Sequence, residues 1–330
     1  MKVCADCFSN DEIKRFVRNA SNENGLCDCC HNESVLIDLS LLTDHFVEFL
    51  NLFTYDINGS DLIETVQRDW RPFESEECAR TILGEILNNN EFSFSVSDKV
   101  SYVSDMADCF NLWSELKHEV QESKRFFYDI MSFDWVNYVV PNEIIKEGSI
   151  LYRSRIVPAG KQNLSTNEMG CPPKEKATAG RANPVGIPYL YLCNKKETTY
   201  YEIRALYLDK VSVGEFVARR DLKIVDFSKA INLFYTDSNL SLMDVAKRKI
   251  LFAEISADLS KPLRRFDTEI EYVPTQFICE YCKIISDADG IRFNSSLDEN
   301  GANIVLFNDS GVVCRSVEYK EIKDVKIASN

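Results

Sequence analysis

The chain has 330 residues, 45% apolar and 11% aromatic, the composition of a globular protein with a sizeable core and not of a disordered one. Its net charge of −14 is uneven: residues 1–145 carry 27 acidic against 11 basic side chains, and residues 146–330 carry 25 against 27. The acidic half would repel phosphates, which disfavours nucleic acid as a partner, and the absence of a run of about 18 apolar residues or a basic-then-apolar start predicts a soluble, cytoplasmic chain with no membrane contact.

Twelve cysteines without a secretion signal argue for metal binding, redox chemistry or burial of reduced thiols rather than for a disulfide framework. Cys4 and Cys7 form one CxxC pair and Cys27 and Cys30 a second, with Cys29 between the latter two and His31 directly after. Each pair supplies two thiolates from one tight turn, as tetrahedral zinc requires. The expectation is a closed, structural zinc site of Cys4, Cys7, Cys27 and Cys30, in which Cys29 or His31 can replace one ligand. A four-ligand site leaves no position for a reacting water, so folding support and no catalysis is expected of it.

From Leu36 to Phe127 apolar residues recur three and four apart in SLLTDHFVEFLNLF, SDLIETVQRDW, ESEECARTILGEIL and VSDMADCFNLWSELKHEVQESKRFF, which predicts helices, with Ser60 and Ser75 as N-caps. After Pro141 the pattern changes to short apolar runs divided by turn residues: SILYRSRI, IPYLYLC, DKVSVGEFVA, LKIVDF, GIRFNSS and NIVLF read as strands. TTYYEIRALYL, LSLMDVAKRKILFAEIS and the segment beginning PTQ read as interspersed helices; in the last, Cys279 and Cys282 share one side and are expected to pack in the core. The segment 157–179, rich in Pro, Gly, Lys and Thr, reads as a flexible insertion. The chain is thus α+β, with a zinc-ribbon-like segment (1–35), an acidic helical domain (36–145) and a mixed β-sheet domain (146–330).

Familiar catalytic signatures are missing. There is no GxxxxGK[ST], no GxGxxG after a strand and no HExxH, and no histidine follows His118, so chemistry in the second half falls to Arg, Tyr, Glu, Ser, Asp or Cys. The stretch GRANPVGIPYLYLCNKKETTYYEIR places Arg181 and Asn183 in a turn, Tyr191 near the end of a strand and Glu202 on a helix; YVPTQ with Gln276, GIRFNS ending at Ser295, and Asn303 before IVLF follow.

This ordered series, over roughly Ser149 to Phe307, resembles the RES domain family, whose members carry a GGRWN-like turn, a strand ending in Tyr, a helix with Glu and a late strand ending in Ser. The resemblance implies an ADP-ribosyltransferase-like fold that takes NAD as substrate and cleaves its nicotinamide–ribose bond, in the manner of toxins that deplete NAD by hydrolysis or phosphorolysis. ADP-ribosylation of a protein is the alternative, and a non-catalytic zinc-bearing nucleotide sensor is a second. It further implies a toxin or anti-phage defence role, a cognate antitoxin or regulatory protein as partner, and a cysteine-bearing helical region ahead of the catalytic domain. Self-association into a homo-oligomer is compatible with the sequence.

Cleavage passes through an oxocarbenium-like ribose, so the site needs a carboxylate, a nicotinamide platform and donors for the pyrophosphate. On the resemblance, Glu202 stabilises the developing cation and holds a ribose hydroxyl. Tyr191, with Tyr189 as its competitor on the same strand face, stacks on nicotinamide or ribose. Arg181 binds phosphate, and Arg153, with Arg155 as competitor, adds a second contact. Ser295, or Ser296, bonds the nicotinamide amide or ribose, while Asn183, Gln276 and Asn303 shape the pocket. Each has a plain structural alternative: a solvated helix glutamate, a strand aromatic, strand-end charges and a turn serine. The sequence departs from the family pattern at Ala182, where an aromatic commonly follows the arginine, and in the 157–179 insertion, which offers a lid or a contact for a substrate protein. The charge asymmetry suggests that the acidic half covers the catalytic half.

Overall fold

The computed structural model describes residues 1–125, 138–234, 240–261, 269–298 and 300–324. In chain order the first elements are β1 (Lys2–Cys4), α1 (Asp11–Ala20), β2 (Asn24–Leu26), β3 (Glu33–Asp38), α2 (Ser40–Leu50), β4 (Phe53–Asp61), α3 (Leu62–Asp69), α4 (Glu76–Asn88), β5 (Lys99–Tyr102) and α5 (Ser104–Glu122). They are followed by β6 (Glu143–Ile145), β7 (Ile150–Ile156), β8 (Leu190–Cys193), α6 (Lys196–Glu202), β9 (Lys210–Ala218), β10 (Leu222–Asp226), α7 (Leu242–Ser260), α8 (Val273–Ile284), β11 (Gly290–Asn294), β12 (Ala302–Leu306) and β13 (Val312–Glu321). The architecture is mixed α+β, with a large mixed sheet in the second half and a cysteine cluster near the N-terminus. Among the described residues no helix is long and apolar enough to cross a membrane.

Two compact units are present: Met1–Asn111 with Ile231–Lys249, and Leu112–Ala230 with Ile250–Asn330. In the first, β1, β3 and β2 form a three-stranded antiparallel sheet, and β4 and β5, separated in the chain by α3 and α4, form a two-stranded antiparallel ribbon with a register shift between Tyr55 and Ser60. These strands interrupt a region whose helical periodicity had dominated, because short half-exposed strands bury too few residues to register as alternation. Gly59 is required in that ribbon, since a Cβ there would stand 2.2 Å from the Val100 carbonyl oxygen. Ser75 caps α4 by accepting from Cys78 N (3.1 Å), as expected, whereas α3 is capped by Asp61, accepting from Glu64 N (3.0 Å), and Ser60 remains in β4. The core is aromatic: Phe46 lies 5.3 Å from Phe73 and 5.4 Å from Phe234.

The second unit holds an eight-stranded sheet in the order β13-β9-β7-β8-β12-β11-β10-β6, antiparallel except for β10 against β11. All six expected strand runs lie in it, joined by β6 and β13, which sequence patterning did not mark. β12 is buried along its whole length because it is flanked on both edges. The 157–179 insertion is anchored rather than loose: Leu164 and Met169 enter the core beside Leu151, Phe216 and Leu306. Burying two such side chains stabilises the segment by about 3–6 kcal/mol. The helix expected over TTYYEIRALYL stops at Glu202, since Arg204 (φ 50°) and Leu208 (φ 69°) adopt left-handed backbone. Cys279 and Cys282 are fully buried on α8, as the helical pattern implied.

Candidate functional site

A cleft of about 440 Å³ opens in the second unit, within the range of small-ligand pockets. Its wall is built from β7 (Tyr152, Arg153, Ser154), the 180–183 turn (Arg181), β8 (Tyr191, Cys193), α6 (Thr199, Glu202), the end of α7 and Lys261 after it, and β12 (Asn303). Among the described residues the wall carries the cations Arg153, Arg181, Arg204 and Lys261 and a single carboxylate, Glu202, a balance suited to an anionic ligand.

Glu202 is the last residue of α6. Thr198 and Thr199 are buried beneath it, Thr198 donating to Asp298 Oδ2 (2.6 Å) and Thr199 meeting Ser154 Oγ (2.5 Å), and they fix the helix on the sheet. Its Oε1 accepts from Ser295 Oγ (2.7 Å) and Asn303 Nδ2 (2.9 Å). Asn303 stands opposite Cys193 in the β12–β8 register, and the Cys193 thiol donates to Asn303 Oδ1 (3.3 Å), which leaves the amide nitrogen for Glu202. Burial, followed by the nearby Glu202 and Asp298 charges, pushes the Cys193 thiol up and keeps it a donor. Ser295 and Asn303 are both buried, so the carboxylate is oriented by a rigid pair while Glu202 itself remains exposed to the cleft.

The 180–183 turn is braced from three sides. The Tyr191 hydroxyl donates to Asn183 Oδ1 (2.6 Å) and accepts from Ala182 N (3.2 Å). From α8, Gln276 Nε2 donates to the carbonyls of Gly180 (2.8 Å) and Asn183 (3.0 Å), and Thr275 Oγ1 donates to the Arg181 carbonyl (2.7 Å). Asn183 Nδ2 closes the loop onto Thr178 O and Ile187 O, both at 3.0 Å. Gly180 permits the approach of the phenol, because a Cβ would meet its oxygen at 2.7 Å. Burial raises the Tyr191 pKa, so the phenol stays neutral and able to donate. The turn thereby presents Arg181, whose Nη1 donates to Asp258 O (2.8 Å) and whose guanidinium lies 5.5 Å from the Tyr272 ring centre.

Of the residues singled out from sequence, Glu202, Tyr191, Arg181, Arg153 and Asn303 line the cleft; Ser295 reaches it through Glu202, and Ser296 lies on the wall. Asn183 and Gln276 stand behind the turn and not on the wall. Tyr189 is buried against Phe307 (5.1 Å) away from the cleft. Arg153 Nη1 donates to Met169 O (2.9 Å) and Gly170 O (2.6 Å), and Arg155 Nη2 also donates to Gly170 O (3.0 Å), so the insertion holds both arginines. Burial and the adjacent Arg155 bring the Arg153 pKa down to about 10, leaving it charged at neutral pH. Sequence reasoning missed Tyr152, Ser154, Thr199, Arg204 and Lys261. Ser154 and Thr199 sat beside named residues in LYRSR and TTYYE, but only their packing joins them; Lys261 carried no signal.

In the first unit, Cys4, Cys7, Cys27 and Cys30 converge, their sulfurs all within 4.8 Å of one another. The separations of 3.9 Å (Cys4–Cys7), 3.4 Å (Cys4–Cys30) and 3.5 Å (Cys7–Cys27) bracket the ~3.8 Å edge of a tetrahedron with metal–sulfur bonds of about 2.3 Å. The Cys29 amide donates to Cys27 Sγ (3.4 Å), the N–H···S bond that steadies a metal-binding turn. These four thiols fit a metal ion. His31 is exposed with φ 59°, and Cys29 falls in a second group with Cys7 and Cys78.

The family model of the RES domain matches residues 150–324, which contain every cleft residue named above. That family is associated with NAD-acting enzymes. No curated protein and no solved structure matches the chain significantly.

Proposed function

Since this chain belongs to the RES domain family, we propose that it is an NAD-consuming enzyme that cleaves the nicotinamide–ribose bond. The observation that carries the reading is the carboxylate of Glu202, held by Ser295 and Asn303 at a cleft whose other charged wall groups, among the described residues, are cationic. In the proposed mechanism Arg181 binds the pyrophosphate, and Arg153, anchored on Met169 and Gly170, adds its remaining donors. The Tyr191 ring supports nicotinamide or ribose. As the glycosidic bond lengthens, positive charge builds on the ribose, and Glu202 stabilises it in a site where the supporting hydrogen bonds are already in place. Neutral nicotinamide departs, and water or phosphate attacks the anomeric carbon. Zinc at Cys4, Cys7, Cys27 and Cys30 would serve the fold of the first unit and take no part in the chemistry. A toxin or defence effector restrained by a partner protein is the biological setting this activity suits.

The test is to incubate the purified chain and its Glu202→Ala variant with NAD, following nicotinamide release and the transfer of labelled ADP-ribose to protein. Release by the parent, with loss of about 10²–10³-fold in turnover in the variant, is expected. No release by the parent, with and without phosphate, would overturn the reading. Label accumulating on protein in place of free ADP-ribose or its phosphate would assign transfer to a protein acceptor instead.

A further inference from the structure

Six of the twelve cysteines lie in one place, and four ligands account for only part of the set. Cys7, Cys29 and Cys78 bring their sulfurs within 4.8 Å of one another, and Cys7 is also a member of the four-sulfur group. The three come from separate parts of the first unit: Cys7 follows β1, Cys29 lies inside the 27–30 turn, and Cys78 stands in the first turn of α4. All are nearly inaccessible, at 0%, 9% and 8% exposure. The backbone holds the approach, because Glu74 N donates to Cys7 O (3.1 Å) and Ser9 N to Pro72 O (3.0 Å), laying the segment before α4 along the chain that carries Cys7. Ser75 caps α4 by accepting from Cys78 N (3.1 Å), which fixes Cys78 in the first turn of the helix.

We propose that Cys7, Cys29 and Cys78 bind a second thiophilic divalent ion, with the Cys7 thiolate bridging it to the ion held by Cys4, Cys7, Cys27 and Cys30. The inference rests on metal occupancy of that first site. Binding replaces the two thiol protons of Cys29 and Cys78 by one dication, releasing the protons to solvent. With one ion, four thiolates and two thiols, the cluster carries a charge of −2; with two ions and six thiolates it again carries −2. No oxidant or reductant is involved. Three thiolates and a water complete a tetrahedron, the water entering where Cys29 and Cys78 keep their residual exposure. The second ion ties α4 to the cysteine turn and makes the N-terminal segment part of the helical unit.

Native mass spectrometry of the full chain produced with zinc tests this, alongside Cys78→Ser and Cys29→Ser. Two zinc ions in the parent and one in each variant are expected. Titration of the metal-free, reduced chain with cobalt(II) should raise thiolate-to-metal charge-transfer absorption through two equivalents, against one in either variant. A single ion in the parent, unchanged by Cys78→Ser, would overturn the second site while leaving the first intact. A Cys29–Cys78 disulfide in freshly purified parent, seen as the loss of two hydrogens, would also overturn it. Zero ions in the parent would remove both sites. The parent stoichiometry decides the matter even where a variant fails to fold.

Discussion

Replacing Tyr191 by Phe tests whether the phenol works on substrate or on the turn that presents Arg181. The hydroxyl makes two hydrogen bonds, to Asn183 Oδ1 at 2.6 Å and from Ala182 N at 3.2 Å, and both partner residues are buried. Phe keeps the ring and leaves one buried acceptor and one buried donor unmet, at about 1–3 kcal/mol each, so a loss of about 2–6 kcal/mol is expected. For a unit of this size that lowers Tm by roughly 5–20 °C. Gln276 and Thr275 still hold the turn from α8, so it loosens without collapsing, and the consequence falls on Arg181. A rise of about tenfold in KM for NAD is expected, equivalent to about 1.4 kcal/mol of ligand binding, with kcat within about threefold of the parent. The assay is nicotinamide release against NAD concentration, paired with thermal unfolding. Tyr189→Phe is the control: the Tyr189 hydroxyl has no hydrogen-bond partner among the described residues, so its removal should leave stability unchanged or slightly higher. A hundredfold fall in kcat for Tyr191→Phe with Tm and KM unaltered would refute the bracing role and place the hydroxyl on the substrate.

The carboxylate clamp should divide between its two donors. Asn303→Ala and Ser295→Ala each leave Glu202 with one of two orienting hydrogen bonds and should lower kcat about tenfold, with the double variant approaching Glu202→Ala; a double variant no worse than either single would show that the clamp does not orient the carboxylate. Metal removal by a strong chelator, or Cys4→Ser, should destabilise the first unit by several kcal/mol in a thermal scan, and an unchanged scan would exclude metal support of the fold. His45 is half-buried, with its Nε2 shielded from solvent, beside Phe234 (4.1 Å) and Phe46, and burial pushes its pKa down to about 4 from a usual value near 6.5. The folded state therefore keeps it neutral. That contribution is fully present above pH 6.5 and is lost as pH falls toward 4, by up to about 3 kcal/mol. Denaturant unfolding of His45→Leu should show a flatter dependence across this window, and an identical slope in both proteins would refute the assignment.

Much of the cleft was legible in the chain itself, because its residue types are chemically expensive to place at random along strands. Arg181, Tyr191, Glu202 and Asn303 were marked by an ordered series of turn, strand, helix and strand, and the two CxxC pairs marked by spacing alone a four-thiol cluster that could hold a metal ion. The periodicities that located the six central strands and most helices were clear wherever an element buries a whole face. The ribbon of β4 and β5 and the edge strand β13 escaped because β4 and β13 are largely exposed and carry little alternation.

Only the tertiary structure decided what each marked residue touches. Partnerships such as Tyr191 with Asn183, Glu202 with Ser295, Arg153 with Gly170 and Cys7 with Cys78 join positions 8, 93, 17 and 71 residues apart. Periodicity reports a residue's own face and is blind to what lies opposite it. By itself the sequence determined the chemical inventory: a helix carboxylate, strand tyrosines, several arginines and a cluster of thiols. Folding assigned the duties, because a hydrogen bond is made or lost within a few tenths of an ångström, and that distance is set by packing across the sheet and not by the order of residues along it.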